Sequence, residues 1–134
     1  MRSVAVLALA GFLSACQTAP VGATPASEAT LPVPDAIDAL GTEPFWAVMI
    51  DAEQIALTRP EHPPVTAPNA GASRTASATR WEAKTAEGVL KLTVTAGPCS
   101  DGMSDRSYPF KAEALIGGRK LKGCAAAAGE RGEN

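Results

Sequence analysis

Polar and apolar side chains alternate along two stretches of the chain, and this alternation is the strongest structural signal in the sequence. In residues 89–96 the apolar face consists of Leu90, Leu92, Val94 and Ala96. In residues 108–116 the corresponding face consists of Tyr108, Phe110, Ala112, Ala114 and Ile116. A period of two is typical of a β-strand that buries one face and exposes the other, so both stretches are predicted strands.

Further short runs of strand-forming residues predict a sheet rather than a helical fold. The predicted strands, besides the two above, are residues 45–50, 55–58, 80–85 and 119–125. Ala86-Glu87-Gly88 and Gly117-Gly118 are suited to hairpin turns. Residues 35–40 favour at most one helical turn. We therefore expect an all-β fold, a small antiparallel, partly closed β-barrel or curved sheet of about six strands.

Composition divides the remaining chain into flexible and folded parts. Residues 17–40 are rich in Pro, Ala and Thr and predict a flexible tether, which follows Cys16. The β domain is predicted at residues 41–126. Within it, residues 61–79 are Pro-rich and then Ala- and Ser-rich, which favours a flexible insertion. The charged residues 127–134 predict a disordered tail.

The first residues have the pattern of a secretory signal peptide. Arg2 precedes an apolar run at residues 4–13, which is too short to span a bilayer permanently. The following Leu13-Ser14-Ala15-Cys16 resembles the lipobox of bacterial lipoproteins. That resemblance implies removal of residues 1–15 and attachment of diacylglycerol to Cys16. The alternative is an ordinary signal peptide that is followed by a cysteine by chance.

The expected address is the periplasmic face of the outer membrane, with the lipid on Cys16 as the membrane contact. The residue after the cysteine is Gln17. An Asp at this position resembles an inner-membrane retention signal in enteric bacteria, so its absence favours the outer membrane. The 134 residues include 12 Lys and Arg against 14 Asp and Glu, a formal net charge of −2. This balance gives no electrostatic reason to expect nucleic acid as a partner.

Assigning Cys16 to lipid leaves two cysteines, Cys99 and Cys124, as an even pair. An oxidising periplasm favours a disulfide between them. A two-cysteine metal site is the alternative, but it lacks further ligands, since the only histidine is His62 in the Pro-rich segment at residues 61–79. A redox-active pair is disfavoured because the spacing is not C-x-x-C. We expect no metal and no cofactor.

The segment from Cys99 to Phe110, CSDGMSDRSYPF, is the richest in polar chemistry. It admits two interpretations: a turn held by its own side-chain hydrogen bonds, or a polar binding site. The candidate binding residues in it are Asp101, Ser104, Asp105, Arg106 and Tyr108.

The two tryptophans also admit two interpretations. Trp46 and Trp81 are expected in the core, or alternatively lining an aromatic pocket.

Three motifs together resemble a family of small bacterial envelope lipoproteins of unassigned activity. They are GTEPFW at residues 41–46, the CSDGMSDRSYPF segment and GCA at residues 123–125. The resemblance implies an exported, usually lipid-anchored domain and supplies no catalytic residue. In size and style the family is loosely similar to lysozyme-inhibitor and META-type lipoproteins.

Three functions are compatible with these residues. We expect a non-catalytic protein that binds an envelope protein or small molecule or supports the envelope, because no nucleophile and base are clustered in the sequence. One alternative is a lysozyme inhibitor that acts through the loop at residues 100–106. A second is a carboxylate- or metal-dependent enzyme that uses Asp101 and Asp105.

Overall fold

The computed structural model describes residues 31–130, which form one antiparallel sheet of nine strands. The strands are β1 (Ile37–Thr42), β2 (Phe45–Ile50), β3 (Gln54–Arg59), β4 (His62–Pro68), β5 (Ala72–Arg74), β6 (Thr79–Thr85), β7 (Gly88–Ser100), β8 (Ser107–Ile116) and β9 (Arg119–Ala127). Their spatial order is β4-β3-β2-β1-β9-β8-β7-β6-β5. The sheet curls into a half-barrel, which confirms the all-β, curved-sheet prediction with nine strands instead of six. Within residues 31–130 there is no helix of the length and apolar character needed to cross a membrane.

The predicted end of the tether and the helical turn at residues 35–40 are wrong, because strand β1 lies there. Ile37 and Ala39 are fully buried, and β1 pairs with β2 on one side and β9 on the other. The strand is short and has both faces largely covered, so its sequence does not alternate cleanly between polar and apolar residues. The folded domain therefore begins before residue 41, and Val33 already packs in the core.

The prediction of a flexible insertion at residues 61–79 is also wrong, because β4 and β5 lie within it. Pro63, Pro64 and Pro68 belong to β4, an edge strand whose only partner in the sheet is β3. A proline is tolerated on an edge strand, since the open side needs no backbone donor. Val65 and Ala67 of β4 are buried, so the segment contributes to the core.

The ends of the chain extend beyond the described residues. The predicted signal peptide, Cys16 and most of the predicted tether lie outside residues 31–130. At the other end, Ala127 closes β9, and the amides of Ala128 and Gly129 donate to Ala36 O and to the Asp38 carboxylate. The predicted disordered tail is therefore wrong at its first residues, and residues 131–134 lie outside the described part.

The core occupies the inner face of the curled sheet, and the predicted alternation places its residues there. In β8, every member of the predicted apolar face is buried; in β7, Leu90, Leu92 and Val94 are buried and Ala96 is half-buried. Trp46 and Trp81 are 3% and 1% exposed and both belong to this core. Both indoles thus pack in the core, and Trp46 also borders a surface hollow.

The two predicted hairpins form as their turn residues indicate. Gly117 and Gly118 have φ values of 55° and 75° and join Ile116 directly to Arg119. Two consecutive positive φ angles are what a type I′ turn requires, and glycine adopts them without steric cost. At the other hairpin Thr85 pairs with Gly88, whose φ is 109°.

The pairing of β1 with β9 ends at an unusually close backbone crossing, which two glycines permit. A Cβ on Gly41 would lie 2.1 Å from Trp46 Nε1, and a Cβ on Gly123 would lie 1.9 Å from the Leu40 carbonyl oxygen. The Trp46 indole fills the space beside Gly41, and its Nε1 donates a hydrogen bond of 3.2 Å to the Lys122 carbonyl. A side chain of β2 thus reaches across β1 to hold β9.

The curl is held by ion pairs that join non-neighbouring strands. Arg59, at the end of β3, pairs with Glu87 in the β6–β7 turn at 2.5 Å. Arg74 of β5 donates to Val33 O and pairs with Asp35, which fastens the chain preceding β1 across the far edge of the sheet. These contacts join parts of the sheet that are not neighbours in the strand order.

We predict that Gly41→Ala lowers the free energy of unfolding by about 1–3 kcal/mol, because the added methyl overlaps the Trp46 indole and the Lys122 carbonyl. Denaturant unfolding followed by tryptophan fluorescence measures the change. Thr66→Ala, on the exposed side of β4, is the control and should change stability by less than about 0.5 kcal/mol. Equal stability of the two variants would show that the crossing has room to relax.

Candidate functional site

Three segments that are distant in sequence meet at one end of the half-barrel. Thr42, the last residue of β1, donates its hydroxyl to the Asp101 carbonyl at 2.8 Å. Cys99, at the end of β7, is disulfide-bonded to Cys124 of β9. These are the GTEPFW, CSDGMSDRSYPF and GCA motifs, so the structure brings together the three stretches that the sequence singled out.

The disulfide between Cys99 and Cys124 confirms the predicted pairing and shows that the metal-site alternative is wrong. Cys124 is fully buried and packs with Tyr108 and Ala126, with Leu40 and Cys99 alongside. The bond closes a separation of 25 residues. A disulfide that closes a loop of this length stabilises the folded state by roughly 3–4 kcal/mol on the chain-entropy model, because it restricts the unfolded chain.

A bulge in β7 directs Cys99 to this position. The register between β7 and β8 shifts between Ala96 and Cys99, after which Cys99 lies opposite Tyr108. Gly97 in the bulge has a φ of 139°, which a residue with a side chain rarely adopts. The extra residue re-aims the end of the strand, as bulges commonly do beside functional loops.

Asp101 organises the loop between β7 and β8. Its Oδ1 accepts hydrogen bonds from the backbone amides of Met103 and Ser104, at 2.9 and 2.8 Å. Its Oδ2 accepts from the Ser104 hydroxyl at 2.8 Å and from the Tyr108 hydroxyl at 3.2 Å. This one carboxylate therefore fixes the turn, and through Tyr108 it joins the turn to the buried disulfide cluster.

These bonds lower the pKa of Asp101 to about 2, chiefly through the donated amides of Ser104 and Met103. A carboxylate with a depressed pKa adds stability above its ordinary pKa of 3.8, and that stability is lost as the pH falls through about 2. A general acid in an enzyme needs the opposite shift, toward neutrality. The contacts therefore give Asp101 a structural role in the loop.

The remaining candidates in the loop differ in their surroundings. The Arg106 guanidinium lies over the Tyr108 ring, 5.2 Å from its centroid, in a cation–π contact. Burial, followed by the hydrogen bond to Asp101, raises the pKa of Tyr108 above its ordinary 10.0. Asp105 is exposed and does not share the Asp101 cluster. The structure thus joins Asp101, Ser104, Arg106 and Tyr108 and leaves Asp105 outside.

The same end of the molecule has two hollows, one on each side of the β1–β2 turn. The loop-side hollow, of about 340 Å³, is lined by Thr42, Glu43, Asp101, Met103 and Lys122, among others. The outer-face hollow, of about 400 Å³, is lined mainly by Leu40, Phe45, Ala47, Thr58 and Pro60 with Trp46 and Arg59. Trp46 thus borders a hollow while its side chain is buried, whereas Trp81 lines neither.

Phe45 and Met103 are exposed apolar side chains at the rims of these hollows, 53% and 69% accessible. Sequence reasoning did not select either one as a binding residue, nor Thr42, Glu43 or Lys122. Phe45 belongs to the GTEPFW motif, and Met103 is the one apolar residue in an otherwise polar turn. Both features could have marked these residues as binding candidates from the sequence. Lys122 carried none, because only the β1–β9 pairing places it there.

Among residues 31–130, no group of three or more His, Cys, Asp and Glu side chains is arranged to hold a metal ion. Asp101 and Asp105, which the enzyme alternative pairs on one cation, do not share a partner in the structure. The Asp101 oxygens are instead occupied by four donors of the loop.

In comparisons with known proteins, the chain matches no family model, no curated protein and no solved structure. The resemblance of the three motifs to envelope lipoproteins therefore stays a prediction. What the structure adds is that these motifs form one spatial unit.

We predict that Asp101→Asn lowers the pKa of Tyr108 toward 10.0, because the variant removes the negative charge beside the phenol while its burial remains. Tyr108 is the only tyrosine, so the ultraviolet absorbance of tyrosinate reports it directly. Asp105→Asn, the same charge change four residues along the loop, should leave the titration as in the wild type. An unchanged titration in Asp101→Asn would show that the two side chains are not coupled in solution.

Proposed function

We propose that this chain is a lipid-anchored, non-catalytic binding protein of the bacterial envelope, held by Cys16 at the periplasmic face of the outer membrane. The observation that supports binding is the rim of exposed apolar side chains around a rigid scaffold. Phe45 and Met103 project beside segments fixed by the disulfide, Trp46 and Asp101. Exposed aromatic or thioether side chains on pre-organised backbone are typical of protein-recognition surfaces.

The proposed binding surface therefore differs from the polar loop expected from the sequence. It consists of the two hollows with Phe45 and Met103 at their rims, and Glu43 and Lys122 supply charge of both signs in the loop-side hollow. The polar residues Asp101 and Ser104 act mainly beneath this surface, since they hold the turn that presents Met103.

The lysozyme-inhibitor alternative is less well supported by the geometry. The Ser104 hydroxyl donates to Asp101, and the Arg106 guanidinium lies against Tyr108. The Ser100 hydroxyl, the third group that would enter a lysozyme cleft, accepts a hydrogen bond from the Gly102 amide at 3.2 Å. All three groups thus already have contacts within the loop. The alternative becomes an outcome of the binding experiment below.

We predict that Cys16→Ser releases the protein from the membrane fraction and abolishes incorporation of labelled palmitate, because the thiol is the proposed acylation site. The readouts are fractionation of cell envelopes and autoradiography of the immunoprecipitated chain. Cys99→Ser with Cys124→Ser is the matched control, which should still incorporate the label. Palmitate incorporation into Cys16→Ser would overturn the anchor.

We predict that a photo-crosslinking amino acid at Phe45 or Met103 yields a discrete protein adduct in native envelopes, whereas the same group at Gln54 yields none. Gln54 is exposed on the same half of the sheet, at the end of β3 opposite to Thr58 and Arg59, which line the outer-face hollow. Mass spectrometry of the adduct identifies the partner. The same adducts at Gln54, or none at Phe45 and Met103, would contradict the binding surface; an adduct only with added lysozyme would select the inhibitor alternative.

A further inference from the structure

The outer face of β6 to β9 has a strong excess of positive charge. Strand alternation and the observed register place these outward-facing cations on it: Arg80, Lys84, Lys91, Lys111, Lys120 and Lys122. Two outward-facing acids, Glu82 and Glu113, share the surface. We call these eight residues the cationic face. Its six positive and two negative charges give a local excess of four, in a chain whose formal net charge is −2.

The charge is unevenly distributed between the two halves of the sheet. Strands β1 to β4 direct no lysine or arginine outward within the described residues, since the one arginine there, Arg59, is buried against Glu87. That half instead exposes Phe45 and Met49. The cationic face therefore lies apart from Phe45 and Met49, and it meets the loop-side hollow at Lys122, which borders both.

The acids on the cationic face are already neutralised by two of its lysines. Lys91 pairs with Glu82 at 3.2 Å, and Lys120 pairs with Glu113 at 3.1 Å. Lys111 and Lys122 form no ion pair within the described residues, and they flank a hollow of about 280 Å³ that Thr93 and Thr95 also line. Two of the four cations on this face without an ion pair among the described residues thus flank the hollow, which Glu113 also lines, and the other two are Arg80 and Lys84 on β6.

We propose that the cationic face docks on a bilayer surface that carries anionic phospholipid headgroups. Four adjacent strands spaced by about 4.8 Å present the cations as a shallow grid, which suits a flat layer of phosphates better than a narrow cleft would. Val89, 43% exposed, and half-buried Leu115 add apolar contact on the same side. No aromatic side chain lies on this face to stack with the bases of a nucleic acid.

The preference for a bilayer over a soluble polyanion rests on the proposed anchor at Cys16. Leu31, the first described residue, follows Cys16 by 15 residues. A chain of that length reaches at most about 50 Å, so an anchored domain stays within reach of the membrane surface. Docking by the cationic face then orients the anchored domain on the bilayer.

The test uses the unlipidated chain of residues 17–134, which contains the whole described sheet and core, so that the result is independent of the anchor. Flotation is measured with vesicles of phosphatidylcholine mixed with phosphatidylglycerol, and with phosphatidylcholine alone. The test variant is Lys111→Gln with Lys122→Gln. The control, Gln54→Glu with Thr66→Glu, changes the net charge by the same amount on exposed positions of β3 and β4.

We expect salt-sensitive binding to the anionic vesicles only, unchanged in the control and about 30-fold weaker in the test variant. The estimate follows from about 1 kcal/mol per cation near an anionic surface, roughly fivefold in partition for each lysine. Equal loss in both variants, or binding to neutral vesicles, would overturn the docking face. Release by millimolar inorganic phosphate, or equally tight binding to an oligonucleotide, would overturn the assignment to lipid headgroups.

Discussion

The close crossing of β1 and β9 is the constraint on which the rest of the structure depends. It is the one pairing between strands distant in sequence, and it joins the four strands of the N-terminal half to the five of the C-terminal half. Glycine at positions 41 and 123 lets the two backbones approach, and the Trp46 indole takes the volume that a side chain at 41 would occupy. Because buried backbone groups need partners, the Trp46 Nε1 bond to Lys122 O also compensates for the ladder that ends there.

The loop and the disulfide follow from that crossing. Cys124 lies directly after Gly123, so the position of β9 against β1 sets the position of the disulfide and, through it, of Cys99. The end of β1 contributes the Thr42 bond to the Asp101 carbonyl, which orients the loop from the other side. Asp101 then arranges the turn through its carboxylate. The rim of Phe45 and Met103 is thus supported by β1, β7 and β9 as well as by the hydrogen bonds of the loop itself.

The sequence predicted a strand best where the strand has one solvent-exposed face and one buried face. The hairpins β6–β7 and β8–β9, their glycine turns and the inward faces of β7 and β8 were all predictable from periodicity. β1 and β4 were not, for different reasons: β1 is covered on both faces, and β4 contains prolines whose meaning depends on its place at a sheet edge. The disulfide was predictable from cysteine parity. The convergence of Phe45, Met103 and Lys122 required the β1–β9 register, a long-range pairing that local patterns do not encode.

The open edges of the half-barrel have a consequence for the behaviour of the protein at high local concentration. A half-barrel, unlike a closed barrel, leaves two strands with unpaired backbone groups, and such edges invite pairing between molecules and fibrous aggregation. Here one edge is β4, in which three of seven residues are prolines, and the other is β5, with only three residues. Neither offers a long row of free donors to a neighbouring copy. The proline-rich composition that resembles a linker in the sequence therefore acts in the fold as protection against polymerisation.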